Sequence, residues 1–120
     1  MQFDVGMHTP VEITFRAMEP SPAMETAVQK WVERLEQSYD RIERCAVVVE
    51  QPHHHHRQGN RFHVHVYVTV PDRTITITRD PAADQTHENA FAALDDAFRA
   101  ARRQLQDHAR ILRGEVKAHG

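Results

Sequence analysis

Residues 86–117 read THENAFAALDDAFRAARRQLQDHARILRGEVK. In this stretch apolar side chains recur at spacings of three and four, which is the period of one buried helix face. The recurring residues are Phe91, Leu94, Phe98, Ala101, Leu105 and Leu112. Thr86, at the start of the stretch, is a suitable N-cap. The pattern therefore predicts a long amphipathic helix whose apolar side meets a core, and the rest of the chain must supply that core.

The side of this helix opposite the apolar stripe is basic. It carries Arg99, Arg102, Arg103, Arg110, Arg113 and Lys117. Residues 98–120 contain six basic residues against two acidic ones, whereas residues 1–97 contain nine against fifteen. A stripe of Arg and Lys on one helix is the usual electrostatic footprint for a phosphate backbone, so it indicates a polyanionic partner. The alternative is a solvated face whose cations complement the negative end of the helix dipole.

A second amphipathic helix is predicted to begin at Pro22. Ser21 is a suitable N-cap. Pro22 fits the first helical position because proline lacks a backbone N–H, and an N–H at that position would have no helical partner. The apolar face of this helix consists of Met24, Val28, Trp31, Leu35 and Tyr39, with Ile42 continuing it just past the end.

This earlier helix is also predicted to carry a smaller basic stripe, formed by Lys30, Arg34 and Arg41. The stripe has the same two interpretations as the longer one. It is either part of a phosphate-binding surface or ordinary helix solvation, with Glu33 and Glu36 as partners at helical spacing.

Four strands are predicted from alternating or β-branched apolar runs. They span residues 11–17, 44–50, 62–70 and 74–79. Cys45 lies in the apolar run of the second strand and is interpreted as a packing residue. In the third strand His63 and His65 alternate with apolar residues, so we expect both histidines on the sheet face away from the helices. Those apolar residues, expected under the helices, are Phe62, Val64, Val66 and Val68.

The order strand, helix, strand, strand, strand, helix predicts an α+β fold. Two helices and four strands that each have one apolar face close a core by packing both helices on one face of a four-stranded sheet. We expect a mixed βαβββα sheet, with a right-handed parallel crossover first and hairpins afterwards. A length of 120 residues with 40% hydrophobic content predicts one domain over residues 1–120, with an ordered core of about residues 11–113.

Charge and cysteine content narrow the class of function. A net charge of −2 excludes a histone-like DNA binder, so we expect a local, oriented contact and no DNA specificity. The single cysteine forms no internal disulfide, and the N-terminus lacks the pattern of a signal peptide, so a cytoplasmic protein is expected. No apolar run approaches the ~20 residues that span a bilayer, so no membrane partner is expected.

Catalytic and cofactor-binding patterns are missing from the sequence. Cys45 lies in the middle of an apolar strand, and there is no Gly-x-Ser-x-Gly elbow and no glycine-rich phosphate loop. Asp95 and Asp96 are adjacent on a helix and point to different sectors, so they are interpreted as solvating charges. We therefore expect no enzyme activity, no catalytic residues and no cofactor.

Ten histidines are unusual in a chain of this length. The run His53, His54, His55 and His56 lies in a predicted hairpin loop, and with His63 and His65 it offers imidazoles to Zn²⁺, Ni²⁺ or Cu²⁺. A loop without carboxylate or thiolate ligands usually binds metal weakly, so no metal site is assigned. The alternative function is nevertheless a small cytosolic His-rich metal-binding protein, and a third is a dimerisation module that uses the outer sheet face.

Several strings resemble one known family. Residues 87–96, HENAFAALDD, and residues 99–105, RAARRQL, resemble the second helix of the ribosome hibernation-promoting factor and ribosome-associated inhibitor family. The predicted first helix and the strand at residues 45–50 fit the first half of that family more loosely. The resemblance covers most of residues 11–113. It departs in the His-containing loop, which is longer than usual, and in the overall acidity.

The resemblance implies a βαβββα domain similar to double-stranded-RNA-binding domains. It also implies a translation regulator that binds the small ribosomal subunit and its rRNA near the decoding region, and blocks the mRNA and tRNA sites. By position, the residues that match the basic helix surfaces of the family are Lys30, Arg34, Arg41, Arg99, Arg102, Arg103 and Arg110. Because the sequence ends at Gly120, we expect a short form, without the C-terminal domain through which long members pair ribosomes.

Overall fold

The computed structural model describes residues 9–51, 62–79 and 90–112. Six elements follow one another in the predicted order. They are β1 (Val11–Arg16), α1 (Pro22–Ser38), β2 (Arg44–Glu50), β3 (His63–Val70), β4 (Arg73–Arg79) and α2 (Ala90–Leu112). The predicted N-cap Thr86, and Arg113 and Lys117 of the basic stripe, lie outside the described residues.

The strands form one mixed sheet in the order β1-β2-β3-β4. β1 pairs with β2 in parallel, whereas β2 with β3 and β3 with β4 pair antiparallel. One row of apolar partners crosses the sheet through Ile13, Val47, Val66 and Ile77. The predicted parallel first connection and the two antiparallel pairs after it are confirmed.

Alternation along β3 fixes which face of the sheet is buried. Val64, Val66 and Val68 are fully buried, while His63 and His65 are half-buried on the other face. Phe62, just before the strand, is only partly buried against the core. The predicted register of β3 is therefore confirmed, because a shift of one residue would have exchanged the two sets.

Local sequence sets both ends of α1. The Ser21 hydroxyl accepts a hydrogen bond from the backbone N–H of Met24 at 3.2 Å, as predicted for an N-cap. At the other end, the N–H of Tyr39 donates to the Leu35 carbonyl at 2.9 Å while Tyr39 itself is extended. The predicted apolar face is buried along its whole length. The placement of Arg41 on this helix was wrong, because the chain leaves helical geometry at Tyr39.

Nine side chains of α2 are buried, and five of them are alanines: Ala90, Ala93, Ala97, Ala100 and Ala101. These alanines lie near the middle of the arc of buried residues around α2. Their small side chains let the helix axis come close to β3 and β4, which α2 contacts. Leu94, Phe98, Ala101 and Leu105 are buried as predicted.

Two residues of the predicted α2 stripe are exposed: Phe91 by 41% and Leu112 by 52%. Phe91 lies just outside the buried arc, and Leu112 lies in the last turn, where it lines an open groove. Their assignment to the core was therefore wrong. Among residues 9–51, 62–79 and 90–112, no helix is both long enough and apolar enough to span a bilayer.

His108 is buried among the apolar residues of α2, with only 4% of its surface exposed. Its Nε2–H donates to Asp72 Oδ1 across 3.0 Å, and its ring is tilted against that of Tyr39 with the centroids 5.9 Å apart. Asp72 lies in the turn between β3 and β4, so this contact ties the C-terminal half of α2 to the sheet.

We expect Asp72→Ala to lower the free energy of unfolding by about 1 kcal/mol, because it removes the acceptor of a buried donor. Urea denaturation followed by circular dichroism measures the change. Asp40→Ala, which removes an exposed carboxylate from the turn after α1, should stay within about 0.5 kcal/mol of the wild type. Equal losses in the two variants would contradict the role of the His108 contact.

The lone thiol, Cys45, is fully buried in β2, as predicted. Burial raises its pKa to about 12 from an ordinary value of 9.0. The folded chain therefore holds the thiol proton through a pH range in which the unfolded chain releases it. That contribution to stability is complete below pH 9.0 and is lost between about pH 9 and 12.

We expect Cys45 to resist a disulfide-exchange reagent at pH 8 in the native protein and to react at once in denaturant. The absorbance of the released thiol measures both rates. The difference in unfolding free energy between wild type and Cys45→Ala should also shrink as pH rises above about 9. Native labelling as fast as denatured labelling would show that the thiol is open to solvent.

Candidate nucleic-acid interface

The side chains of the seven cations predicted as phosphate contacts are all exposed in the fold. Two lie on α1, four on α2 and one, Arg41, in the turn after α1. Whether they form one surface depends on how α1 and α2 are rotated about their axes. That rotation is fixed by contacts between the helices.

The two helices are joined by Trp31 of α1. Its indole ring is stacked on Phe98 of α2, with the centroids 5.6 Å apart and the planes 8° from parallel. Its Nε1–H donates to Asp95 Oδ1 at 2.8 Å. With Tyr39 against His108 further along, these contacts show that α1 and α2 run parallel. The indole thus has both its apolar surface and its single donor satisfied by α2.

These contacts determine which cations face the line where α1 meets α2, called here the helix seam. On α1, Lys30 and Arg34 lie about 100° and 60° around the helix from Trp31, on its solvent side. On α2, Arg99 and Arg102 lie about 40° and 20° from Asp95. We call these four cations the seam cluster, because ideal helix geometry places them on the outer side of the helix pair.

The other three predicted cations lie apart from the seam cluster. Arg103 and Arg110 are about 80° and 60° from Asp95, further round the outer side of α2. Arg110 donates to Asp107 at 2.7 Å, so part of its charge is already compensated. Arg41 lines a groove of about 600 Å³ at the C-terminal ends of both helices, together with Tyr39, Ala109 and Leu112.

Arg34 is held in place by the residue that joins the helices. The central carbon of its guanidinium lies 4.6 Å from the Trp31 ring centroid, a cation–π geometry. The indole is 94% buried, because its exposed fraction is 6%, whereas Arg34 is exposed. The guanidinium is thus packed on a fixed apolar surface and still meets solvent at its edge.

Several carboxylates of the helices are turned away from the seam cluster. Glu36 accepts from the backbone N–H of Thr9 at 2.8 Å, on the side of α1 next to β1. Asp96 lies 3.5 Å from Arg79 of β4, and Asp107 pairs with Arg110. Asp95 is the carboxylate at the seam itself, where it accepts from Trp31, so the four cations of the seam cluster outnumber it on a chain whose net charge is −2.

The contact of Asp95 was missed by the sequence analysis. Its interpretation as a solvating charge was wrong, because it accepts a hydrogen bond from a buried indole 64 positions earlier. Nothing in the local sequence identifies that partner. His108 was also missed, although it continues the spacing of Ala101 and Leu105 by three more residues. His108 would have been predicted as buried if polar residues had been allowed in the apolar stripe of α2.

The candidate metal ligands His53, His54, His55 and His56 lie outside the described residues. In the parts of the chain that the structure describes, no three His, Cys, Asp or Glu side chains are grouped so that they could hold a metal ion. His65, which is described, lies 3.2 Å from the Thr78 hydroxyl and parallel to the ring of Tyr67. Those contacts stabilise the outer face of the sheet.

Comparison with known proteins agrees with this architecture. The family model described as Sigma 54 modulation protein / S30EA ribosomal protein matches residues 11–113. A ribosomal subunit interface protein from Coxiella burnetii has a similar structure, with a TM-score of 0.67 and 16% identity, over 84% of this chain and 98% of that one. No curated protein gives a significant match in sequence.

The N-terminal domain of Protein Y from Thermus thermophilus is similar to the same extent. Its TM-score is 0.66 at 19% identity, and the match covers 85% of this chain and 99% of that domain. At identities this low, the two structures show a shared α+β fold, with helices and sheet arranged alike.

Proposed function

This chain belongs to the Sigma 54 modulation protein / S30EA ribosomal protein family, and from that premise we propose that it binds the small ribosomal subunit as a regulator of translation. Membership confirms the family resemblance carried by residues 87–105. The proposed contact is with rRNA near the decoding region, where the bound protein blocks the sites of mRNA and tRNA. It acts in the cytoplasm and without catalysis.

The observation that carries this proposal is that α1 and α2 are packed together through Trp31 and that each bears two exposed cations of the seam cluster. Helix geometry places these cations on the outer side of the helix pair. A positive surface on two packed helices is suited to contacts with the phosphates of an RNA helix. It binds by shape and charge and does not read base edges.

The acidic remainder of the chain supports an oriented mode of binding. A net charge of −2 gives no general attraction to RNA, so only the helix surface favours contact. The similar protein from Coxiella burnetii is described as a ribosomal subunit interface protein.

Co-sedimentation with salt-washed small subunits tests the proposal. Each phosphate that a cation neutralises releases counterions. The logarithm of the binding constant should therefore fall steeply and linearly with the logarithm of the salt concentration. Subunits already loaded with mRNA and tRNA should bind less protein, because the proposed site is then occupied. Equal binding to loaded and empty subunits would contradict the placement near the decoding region.

We expect Arg102→Ala to weaken binding by about 1 kcal/mol, or about fivefold, and to lower the salt slope by about one. Arg110→Ala should weaken it less, because Arg110 is already paired with Asp107. The salt dependence of co-sedimentation measures both effects.

Arg16→Ala is the matched control for these variants. It removes the same charge from the end of β1, away from both helices, and should leave binding nearly unchanged. If Arg16→Ala and Arg102→Ala weakened binding equally, general charge attraction would replace the proposed surface. If the Arg102→Ala/Arg103→Ala double variant bound as the wild type does at all salt concentrations, the basic side of α2 would be a solvated face.

A further inference from the structure

Trp31 is the single tryptophan of the chain, and it makes three different contacts at the helix seam. It is stacked on Phe98, it donates to Asp95, and it lies under the guanidinium of Arg34. Stacking on Phe98 helps to bury the indole ring, and the hydrogen bond to Asp95 satisfies its only polar group, Nε1–H. They also fix the plane of the indole, and that plane is the surface on which Arg34 rests.

A guanidinium and an ammonium carry the same charge but differ in shape. The guanidinium is a planar fork with five donors that binds two oxygens of one phosphate at once, whereas the ammonium is a point charge on a flexible stem. A planar cation packs on an indole and keeps its edge free for a ligand. An exposed arginine without such a support loses rotamer freedom when it binds.

We propose that Trp31 is a positioning residue, which holds the Arg34 guanidinium in the orientation that binds an RNA phosphate with two parallel hydrogen bonds. This inference rests on the proposed function, since the phosphate belongs to the rRNA contacted by the seam cluster. It assigns unequal roles within the cluster. Arg34 acts through its shape and fixed orientation, whereas the neighbouring Lys30 acts through its charge.

The placement of Arg34 favours this division of roles. Helix geometry places Arg34 closer to the seam than Lys30, and Arg102 is the arginine of α2 nearest to the seam on the other side. A phosphate above the seam therefore meets Arg34 between cations of both helices. Trp31 is hydrogen-bonded to Asp95 of α2, and the Arg34 guanidinium packs on the ring of Trp31. The position of Arg34 relative to α2 is therefore set through Trp31.

Arg34→Lys tests the proposal, because it keeps the charge and removes the planar fork. We expect this variant to bind salt-washed small subunits about two- to fivefold more weakly, with an unchanged salt slope. Arg34→Ala should bind more weakly still and with a slope lower by about one. The matched control is Arg16→Lys, which makes the same exchange at the end of β1, away from both helices, and should change binding by less than about twofold.

A double-mutant cycle separates positioning from a merely structural role of Trp31. Trp31→Phe keeps a ring against Phe98 but loses the Nε1–H and weakens the cation–π contact. If Trp31 acts through Arg34, the Trp31→Phe/Arg34→Lys double variant should bind no more weakly than the weaker of the two single variants. Losses that multiply across the two changes would mean that Trp31 and Arg34 act independently, which overturns the proposal.

The outcomes distinguish this inference from the proposed function. If wild-type protein fails to co-sediment with small subunits, the proposed function fails, and the inference fails with it. If the wild type binds with steep salt dependence but Arg34→Lys binds equally well, only the inference is overturned. Should Trp31→Phe fail to fold, as judged by circular dichroism, the comparison of Arg34→Lys with Arg16→Lys still tests the proposal.

Discussion

The contact of one indole with the opposite helix sets the geometry of the whole outer surface. The sheet buries the alanine-rich side of α2, which already limits how the helix is rotated about its axis. Stacking of Trp31 on Phe98, together with its hydrogen bond to Asp95, fixes that rotation relative to α1. The directions in which Arg99 and Arg102 point follow from it. A chain with the same composition but a rolled helix would present its arginines elsewhere.

The alanine-rich side of α2 has a second consequence for this surface. Five of the nine buried side chains of α2 are alanines, whereas the larger Phe98 packs on Trp31 of α1. The stacked pair of rings sets the distance between the helices at the seam. The spacing between the cations of the two helices depends on this packing, so the core and the proposed binding surface are built by the same side chains.

Periodicity predicted nearly all of the fold because periodicity is local. The alternation in β3 and the spacing of three and four in both helices identify their buried faces without knowledge of any partner. The wrong predictions concern residues whose exposure or backbone geometry depends on tertiary packing. Phe91 and Leu112 match the helical spacing but are exposed, Phe91 at the edge of the buried arc of α2 and Leu112 in its last turn. Arg41 follows α1 only after the chain has left helical geometry.

The candidate site was predictable in its residues but not in its arrangement. Sequence identified seven cations, and all seven are exposed. Their division into a seam cluster, an outer pair and an isolated Arg41 required the contact of Trp31 with Asp95, which are 64 positions apart. Rules of residue spacing within a helix or strand do not relate positions so far apart in sequence. The proposed role on the ribosome likewise came from the family resemblance, since exposed arginines alone indicate only a polyanionic partner.

The central claim is that the outer surface of α1 and α2, and not the open face of the sheet, contacts rRNA. A cryo-electron microscopy structure of the chain bound to the small ribosomal subunit tests it most directly. We expect phosphates within hydrogen-bonding distance of Arg34, Arg99 and Arg102, with His65 and Tyr67 turned away from the RNA. Density that places rRNA against the outer sheet face, with both helices in solvent, would contradict it.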